Sequence, residues 1–458
     1  MSPPDASAVA RLRERLRGPA AGRLDGAYAA LVAPPFPNPL VPWEPDVVVA
    51  AAGVRDVLEA VRFARRHGLA VAIRSGGVGW LGAPPDSLLL DLAALDGVRV
   101  DPVRRRVRVE GGAIWREVAH ELAAFGLAAA GPQFPRLGVA GHVLGGGHGW
   151  LTGLLGWASD TLVSVDVVTA DGRLVHTSAE EEPELFWAMR GAGHGFGVVV
   201  GLELRLVPLE EVTFGLLWFH PDATVDALGA GRELVLGAPD ELTAIVSAAQ
   251  PPASWTGPAS LRGRGAVHLL VCHSGPAAQA EADLAVVRRH PAVVADGIAR
   301  IPWPALSTAP DVFPSGVHRW TRMHHVHDLG DEVIGITDRA VRGLSASSFI
   351  SLHHYGGRLA RVDEDGTAMS HRDKPWNLAA TASWGAVEDG TRLRAWQDGY
   401  LRELEAHAHD AYYVNYLNDE PEHVEAAYNP RTWTRLRRLK RVWDPENLFR
   451  VNQNVPPA

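Results

Sequence analysis

The chain has 458 residues, of which 47% are hydrophobic and 21% charged, and its formal net charge is −9. This length exceeds one ordinary hydrophobic core and predicts two or three domains, while the negative charge argues against general nucleic-acid binding. Cys272 is the only cysteine, which excludes an intrachain disulfide and a cysteine metal cluster. The basic residues are almost all arginine, which we interpret as the composition of a GC-rich, bacterial genome.

The beginning of the chain predicts neither a leader peptide nor a membrane anchor. Residues 1–18 lack the apolar core of a signal peptide. No apolar run approaches the roughly 18 residues that a membrane-spanning helix needs. We therefore expect a cytoplasmic protein without membrane contacts.

The first half of the chain predicts short strands that alternate with helices. Residues 54–67 place apolar side chains at helical spacing and stop at Gly68, and 71–73 and 88–92 are typical of buried strands. The elements predicted after these, in chain order, are a hairpin (98–100 with 106–109), a helix (113–125), a second hairpin (163–168 with 173–177), a short helix (182–190) and a long strand (196–206).

Two glycine-rich loops stand out in this half. The strand 71–73 runs into Arg-Ser-Gly-Gly at 74–77, and residues 138–149 read Gly-Val-Ala-Gly-His-Val-Leu-Gly-Gly-Gly-His-Gly. Successive bare N–H groups form a concave anion site, so the pair predicts a long ligand with phosphates in its middle. A third glycine run, 191–197, follows a helix and enters a strand. That order is the reverse of a dinucleotide fingerprint, and we reject it as an NAD site.

The pattern changes after residue 210. Tryptophan and histidine become common, and strand candidates (267–272, 348–355) alternate with helix candidates (277–289, 392–406), which predicts an α+β second domain. Beyond residue 410 come a Tyr-Tyr-Val-Asn-Tyr segment and an arginine-rich helix.

Eight ordered segments carry a family resemblance: 74–77, 138–151, 160–175, 185–191, 196–206, 354–362, 371–373 and 444–457. Together they resemble the FAD-linked oxidoreductases of the vanillyl-alcohol-oxidase type, with a PCMH-type FAD-binding domain, and most closely the berberine-bridge-enzyme-like branch. The resemblance implies an α+β fold with an FAD-binding domain at 1–210. It further implies a substrate-binding domain at 211–409, with an antiparallel sheet backed by helices, and a segment at 410–458 that returns to the FAD domain.

The resemblance implies FAD as the cofactor and a small-molecule substrate for a monomer or homodimer. Glycines of both loops would bring backbone N–H groups to the diphosphate or let the chain pass close to the flavin. The candidate cofactor-binding residues are Arg74, Ser75, Gly76, Gly77, Val78, Gly79, Phe134, Leu137, Gly138, Gly141, His142, Gly145, Gly146, Gly147, Val198, Asn452 and Asn454.

Two positions depart from the pattern of the family, and a third position distinguishes among its members. Val78 stands where many members carry a flavin-linking histidine, and Phe134 stands where many carry a flavin-linking cysteine. Neither side chain can form such a bond, so we expect FAD without a covalent tether and with a lower reduction potential. Leu137 stands at the position that lines access to the reactive face of the flavin, where leucine accompanies poor reaction with oxygen. This favours a dehydrogenase.

Proton transfer has two candidate sources. Period two along 348–355 puts His353 and Tyr355 on one face of a strand and His354 on the other. The resemblance implies that Tyr413 accepts a proton and that Asn415 positions Tyr413. Which of these four, His353, His354, Tyr355 or Tyr413, is the base stays open.

We expect no metal centre, although His318, His324, His325 and His327 lie close together in sequence, because their spacing is not that of a zinc site. Tryptophans 303, 320, 376 and 384 are candidates for an aromatic substrate pocket.

The sequence therefore predicts an FAD-dependent oxidoreductase that oxidises a small organic compound, which we interpret as a secondary metabolite. A flavin-assisted oxidative or redox-neutral cyclase is the alternative enzyme. A flavin-binding protein without catalytic activity is the alternative from another class.

Overall fold

A computed structural model of the chain describes residues 4–36, 38–79, 81–252, 254–308, 317–385, 387–418 and 420–458. Within these ranges, two sheets are built from the first 205 residues and one large sheet from residues 211–409, and a two-stranded ribbon joins Leu127–Ala128 to Val207–Pro208. The α-helices, in chain order, are Ala6–Arg13, Tyr28–Val32, Val54–His67, Trp115–Ala123, Val139–Leu144, Thr152–Leu155, Pro183–Met189, Thr224–Leu236, Ala277–Arg288, Asp331–Arg342, Arg358–Arg361, Val387–Leu404 and Pro430–Trp443.

A four-stranded sheet supplies the strand that ends in the first glycine loop. Helix Val54–His67 leads into that strand, and Gly68 ends the helix with a left-handed φ of 66°, as predicted. Val57 and Val61 of the helix share one core with Val71 of the strand. The strands, in spatial order, are Ala20–Gly22, Val47–Ala50, Ser87–Asp91 and Ala70–Arg74, and the last three are parallel.

A five-stranded antiparallel sheet contains both predicted hairpins. Its strands, in spatial order, are Val98–Asp101, Arg106–Glu110, Val198–Arg205, Leu162–Val168 and Leu174–Ser178. Helices Trp115–Ala123 and Pro183–Met189 bury their apolar faces against the core of this sheet. These helix and strand predictions are confirmed within one to two residues at most ends.

The large sheet is antiparallel and spans the second half of the chain. Its strands, in spatial order, are Val293–Asp296, Glu211–Phe219, Ala266–His273, Leu242–Ala249, Phe349–His354, Trp376–Trp384, His318–Val326 and Ala408–His409, and Ala299–Pro302 also pairs with Glu211–Phe219. This architecture confirms the predicted α+β class with an antiparallel sheet backed by helices.

The two faces of the large sheet differ in character. One face buries apolar side chains such as Val246, Leu352 and Leu378 against helices that include Thr224–Leu236 and Asp331–Arg342. The opposite face carries polar side chains, because successive residues of a strand point to opposite sides. The buried polar members of this second face, several of which occupy paired positions, are Ser247, Ser351, His353, Asn377, Thr321, Thr381 and His325.

The last part of the chain packs into the first half. The N–H of Val71 donates to the carbonyl oxygen of Leu448 over 3.0 Å, and Leu448 and Phe449 lie in the same core as Val71. Val414 and Val455 belong to the core of the five-stranded sheet. Our proposed domain boundaries at 210 and 409 stay a prediction.

Candidate active site

The two glycine loops contact each other directly. A Cβ atom on Gly76 would collide with the backbone nitrogen of Gly138, and a Cβ atom on Gly138 would collide with Oγ of Ser75. Gly77 has a left-handed φ of 67° and packs against Pro35. Glycine at 76 and 138 therefore serves the close approach of two backbones, a requirement that holds before any ligand binds.

The groups around this junction fit a polar nucleotide. In the described part of the chain, the backbone N–H groups of residues 75–79 make no hydrogen bond. Ser75 Oγ at the junction likewise has no partner among the described residues, and neither do the buried oxygens Asn452 Oδ1 and Asn454 Oδ1 in the last part of the chain. Buried polar groups without partners are costly, so these groups fit a ligand that brings both donors and acceptors. The residues present thus fit FAD.

Other candidate cofactor residues lie around the same junction but contact it differently. The guanidinium of Arg74 donates to the carbonyl oxygens of Leu31 and Val32 and pairs with Asp91 at 2.7 Å. The side chain of Arg74 is therefore used to hold the chain, which the sequence did not reveal. Val78 is half-buried and Gly79 is exposed.

Three further candidates are apolar. Phe134 packs edge-to-face on Phe36 with 5.8 Å between ring centres. Leu137 packs against the core of the five-stranded sheet, and Val198 lies fully buried at the start of its strand. These side chains supply shape and leave hydrogen bonding to the loops.

The second glycine loop is not a continuous loop, which corrects the sequence interpretation. Residues Val139–Leu144 form a short helix, and Gly141 lies inside it. The chain leaves this helix through Gly145, Gly146 and Gly147, of which the last two have φ of 101° and 88°. A side chain at Gly145 would collide with Asn415, so these glycines bring the loop against the Tyr-Val-Asn segment.

Tyr413 and Asn415 meet at the end of this loop. Tyr413 Oη accepts hydrogen bonds from the N–H of Gly147 at 3.0 Å and from Nδ2 of Asn415 at 3.2 Å. Asn415 Nδ2 also donates to the carbonyl oxygen of His142 at 3.0 Å, which fixes its orientation. Burial raises the pKa of Tyr413 to about 12, while these donated hydrogen bonds lower it.

The ring of Tyr413 lies in an aromatic cluster. Trp157 stacks on it with 4.9 Å between ring centres, and Tyr355 and Tyr416 lie at 6.4 and 5.1 Å. A cavity opens beside the cluster. Its lining residues are Trp157, Gly191, His325, Tyr355, Met369, Ser370, His371, Tyr412, Tyr413, Val414, Ala427 and Tyr428. Most of this lining is aromatic or apolar.

The histidines of the cluster are neutral at pH 7. Burial lowers the pKa of His353 to about 4 and that of His325 to about 3, and it holds the pKa of His148 well below its ordinary value. The ring of His148 lies 4.9 Å from that of His353. The cluster therefore presents uncharged hydrogen-bonding groups.

The side chains of residues 353–355 alternate between the two faces of the sheet, as predicted. His353 and Tyr355 both contact the ring of His148. His354 instead packs against Trp376 with 4.8 Å between ring centres, and Trp376 belongs to the helix-covered core. His354 is thus separated from the cavity.

The sequence missed several residues of this cavity. Trp157 lines it, whereas Trp303 lines a different cavity, Trp376 is a core residue, and Trp320 and Trp384 flank Arg394. Met369 also lines the cavity and was not predicted. The matching segment that begins at 160 was the only signal close to Trp157, and it pointed to a hairpin.

Three of the four histidines considered for a metal have different neighbours. His325 is buried near Tyr355, His327 bonds His409 at 3.0 Å, and His318 stacks on Trp384. Among the described residues, no three or more metal-ligating side chains converge on one point. In the same part of the chain, no helix is both long and apolar enough to cross a membrane.

The fold, the paired glycine loops and the orphaned polar atoms define an FAD-binding protein. Residues 45–178 match the family model described as FAD binding domain, and residues 412–456 match the model described as berberine and berberine like. The chain is 30% identical over 432 residues to (R)-6-hydroxynicotine oxidase of Paenarthrobacter nicotinovorans, covering 90% of this chain and 91% of that protein. It belongs to the berberine-bridge-enzyme-like family of FAD-linked oxidoreductases, and it is an FAD-dependent oxidoreductase.

Two further comparisons agree. Xylooligosaccharide oxidase of Thermothelomyces thermophilus is 28% identical over 460 residues, with 93% of this chain and 90% of that protein covered. The crystal structure of 6-hydroxy-D-nicotine oxidase from Arthrobacter nicotinovorans superposes with a TM-score of 0.84 at 25% identity, over 97% of this chain and 98% of that one. The predicted family and cofactor are confirmed.

Proposed function

We propose that this enzyme holds FAD without a covalent bond and oxidises a small, uncharged ring compound, with Tyr413 as the group that accepts the substrate proton. The observation that carries the proposal is the position of Tyr413 Oη, which accepts hydrogen bonds from the backbone N–H of Gly147 and from Nδ2 of Asn415. One donor belongs to the glycine loop and the other to the Tyr-Val-Asn segment, so the phenol lies where cofactor loop and cavity meet.

The cofactor would be held mainly by the backbone. The free N–H groups of residues 75–79 would hold the diphosphate, and Asn452 and Asn454 would offer their unpaired oxygens to the flavin side. When bound, FAD supplies the two-electron acceptor for the oxidation.

Absence of a tether is supported by the residues at the two family attachment positions. Val78 and Phe134 carry no nucleophilic atom. Cys272 is fully buried in the large sheet, among Val212, Ile245 and Trp150, and burial raises the pKa of its thiol. Acid precipitation tests this proposal, because free FAD should remain in the supernatant and leave a colourless pellet. A yellow pellet would refute it.

Tyr413 suits proton transfer because its oxygen already accepts two hydrogen bonds. Donors aimed at a phenol oxygen stabilise its anionic form, which offsets part of the burial that raises its pKa to about 12. The two N–H donors leave one lone pair of the phenolate free to face an O–H or N–H group of the substrate. In that ionised form Tyr413 would accept the substrate proton and become the neutral phenol.

The substrate class follows from polar atoms that the cavity leaves unpaired. Tyr355 Oη and His325 Nδ1 belong to residues of the cavity lining, are buried and have no hydrogen-bond partner in the described ranges. The rest of the wall is mostly aromatic or apolar, and His325 is neutral at pH 7 because burial lowers its pKa to about 3. A planar ring with a hydroxyl or carbonyl group would satisfy these atoms, whereas a carboxylate would find no cation among them.

The names of two relatives offer two different substrate classes. The name of one relative gives 6-hydroxynicotine as its substrate and that of another a xylooligosaccharide. A cavity lined mostly by aromatic and apolar side chains is closer to what a flat heteroaromatic ring needs than to what a sugar chain with many hydroxyl groups needs. We place this enzyme with oxidation of small ring compounds, and we regard the compound as a secondary metabolite.

A substrate panel tests the proposal. Purified enzyme is mixed without air with 6-hydroxynicotine, substituted phenols, hydroxypyridines and xylobiose, and bleaching of the yellow flavin absorbance is followed. We expect bleaching by neutral hydroxylated rings and none by xylobiose. Bleaching by xylobiose alone would refute the substrate class. Product formation without bleaching would favour a redox-neutral cyclase instead.

The electron acceptor is a separate proposal. Leu137, packed against the core beside the glycine loop, supports an acceptor other than oxygen. Slow reoxidation of the reduced enzyme by air, seconds or longer in a stopped-flow experiment, is expected. Millisecond reoxidation would make the protein an oxidase.

A further inference from the structure

A buried ion pair joins the two halves of the molecule beside the cavity. Arg372 Nη1 lies 2.9 Å from Asp160 Oδ2, and Nη2 lies 2.7 Å from Asp160 Oδ1. The side chains are 2% and 5% exposed. Asp160 follows the glycine loop in the FAD-binding half, whereas Arg372 precedes a strand of the large sheet, so the two residues are 212 positions apart.

A buried ion pair contributes little net stability, because desolvation of the two charges offsets their attraction. Removing both charges from water costs several kcal/mol per ion in typical proteins, and apolar replacements are often as stable. The two-point geometry, however, fixes distance and angle in a way that apolar contacts do not. Arg372 also donates to Thr367 Oγ1 at 3.0 Å and to the carbonyl oxygen of Leu359 at 3.3 Å.

On its FAD side, the pair fixes a turn that supports Tyr413. Asp160 Oδ2 accepts the N–H of Trp157 at 2.9 Å, and Trp157 stacks on Tyr413 at an angle of 22° between ring planes. The N–H of Ala158 donates to the carbonyl oxygen of Gly147 at 2.9 Å. The turn therefore holds both the ring that covers Tyr413 and the residue whose N–H reaches Tyr413 Oη.

On its other side, the pair fixes part of the cavity wall. Met369 and Ser370 line the cavity and lie between Thr367 and Arg372, which are bonded to each other. The side chain of Met369 occupies the space beside Gly146, where a Cβ atom would come within 2.7 Å of its sulfur. The ion pair thus binds the wall of the cavity to the glycine loop.

We propose that Asp160 and Arg372 are positioning residues that hold the phenol of Tyr413 between Trp157 and Gly147, and so set its orientation toward the substrate. The inference rests on the proposed function of Tyr413. Neither residue lines the cavity, so each acts through Trp157, Gly147 and the 367–371 segment rather than on the substrate.

Arg372→Lys keeps the positive charge but cannot form the bidentate pair of hydrogen bonds with Asp160. We expect the rate at which the fastest panel compound reduces the flavin to fall at least tenfold, with KM changed less than threefold and FAD affinity unchanged. Arg361→Lys is the control, because Arg361 pairs with Asp240 at the surface and is 61% exposed. It should change the rate less than twofold.

Near-ultraviolet circular dichroism gives a readout without substrate. The difference between wild type and Trp157→Phe defines the signal of the stacked rings. Arg372→Lys should lose most of this signal and Arg361→Lys should keep it. An unchanged signal in folded Arg372→Lys would overturn the proposal. If that variant fails to fold, Asp160→Asn, which keeps the shape and an acceptor for the Trp157 N–H, is measured in its place under the same criteria.

A double-mutant cycle separates this proposal from the proposed function. In a Tyr413→Phe background, Arg372→Lys should slow the reaction by less than a further twofold. The reason is that Arg372 acts by positioning the Tyr413 hydroxyl, which this background lacks. Additive losses would overturn the positioning role. A Tyr413→Phe variant as fast as wild type would instead refute the proposed function, and the dichroism signal would still report whether the pair holds the stack.

Discussion

The glycine-loop junction and the aromatic cavity meet at Tyr413 but are built in opposite ways. The junction presents backbone: Gly76 and Gly138 touch through main-chain atoms, and the groups without partners are mostly N–H groups. The cavity presents side chains, whose unpaired atoms are a phenol oxygen and a ring nitrogen. The junction should therefore be sensitive to any added atom, whereas the cavity should be sensitive to the removal of single functional groups.

The largest effect is expected from Gly138→Val. The added side chain would collide with Ser75 and with the backbone of Gly76, so the loops would have to separate. Overpacking of this kind typically costs about 1–3 kcal/mol or more. We expect loss of measurable FAD binding by fluorescence quenching. Gly26→Ala is the control, because its Cβ atom would meet open space, and it should bind FAD like wild type. Normal FAD affinity in Gly138→Val would refute the backbone description of the junction.

Tyr413→Phe should slow catalysis without loosening the cofactor. Removal of a proton-transfer group typically costs about 10²–10⁴-fold in rate. We expect a decrease in that range in the anaerobic reduction rate at pH 7, with unchanged FAD content. Tyr400→Phe removes an equally buried phenol that bonds Thr337 far from the cavity, so its rate should match wild type. Equal rates in both variants would exclude Tyr413 as the proton acceptor.

The free energy of unfolding should decrease as the pH is lowered, because His353 is buried in its neutral form. Its pKa is about 4 in the folded protein against 6.5 as the ordinary value, so the unfolded chain binds more protons between these limits. The folded state therefore loses stability as the pH falls from about 6.5 to 4, by up to roughly 3 kcal/mol for this residue. Urea unfolding at several pH values should show a shallower dependence in His353→Gln. His120→Gln, on an exposed helix position, should leave the dependence as in wild type.

The smallest effect is expected from Tyr355→Phe. Its hydroxyl has no partner in the described residues, so its removal should leave the free energy of unfolding unchanged or raise it. Loss of one hydrogen bond to substrate should raise KM about tenfold. Tyr400→Phe should do the reverse, losing about 1 kcal/mol of stability with KM unchanged. A stability loss in Tyr355→Phe with unchanged KM would show that its hydroxyl serves the fold.

The amino-acid sequence by itself determined the local features of this protein. The helix 54–67 with its Gly68 stop, both hairpins and the separation of His353 from His354 follow from spacing and turn residues. Each depends on residues near one another in the chain, where periodicity and backbone freedom act directly. The FAD-linked family followed instead from the resemblance of ordered motifs along most of the chain.

Only the tertiary structure decided which distant side chains meet. It turned part of the second glycine loop into a helix, directed Arg74 away to hold Leu31 and Val32, and chose Trp157 rather than four other tryptophans for the cavity. It also paired Asp160 with Arg372 across 212 positions. Pairings of this kind arise from how sheets and loops pack in three dimensions, and no period or motif in a single sequence specifies them.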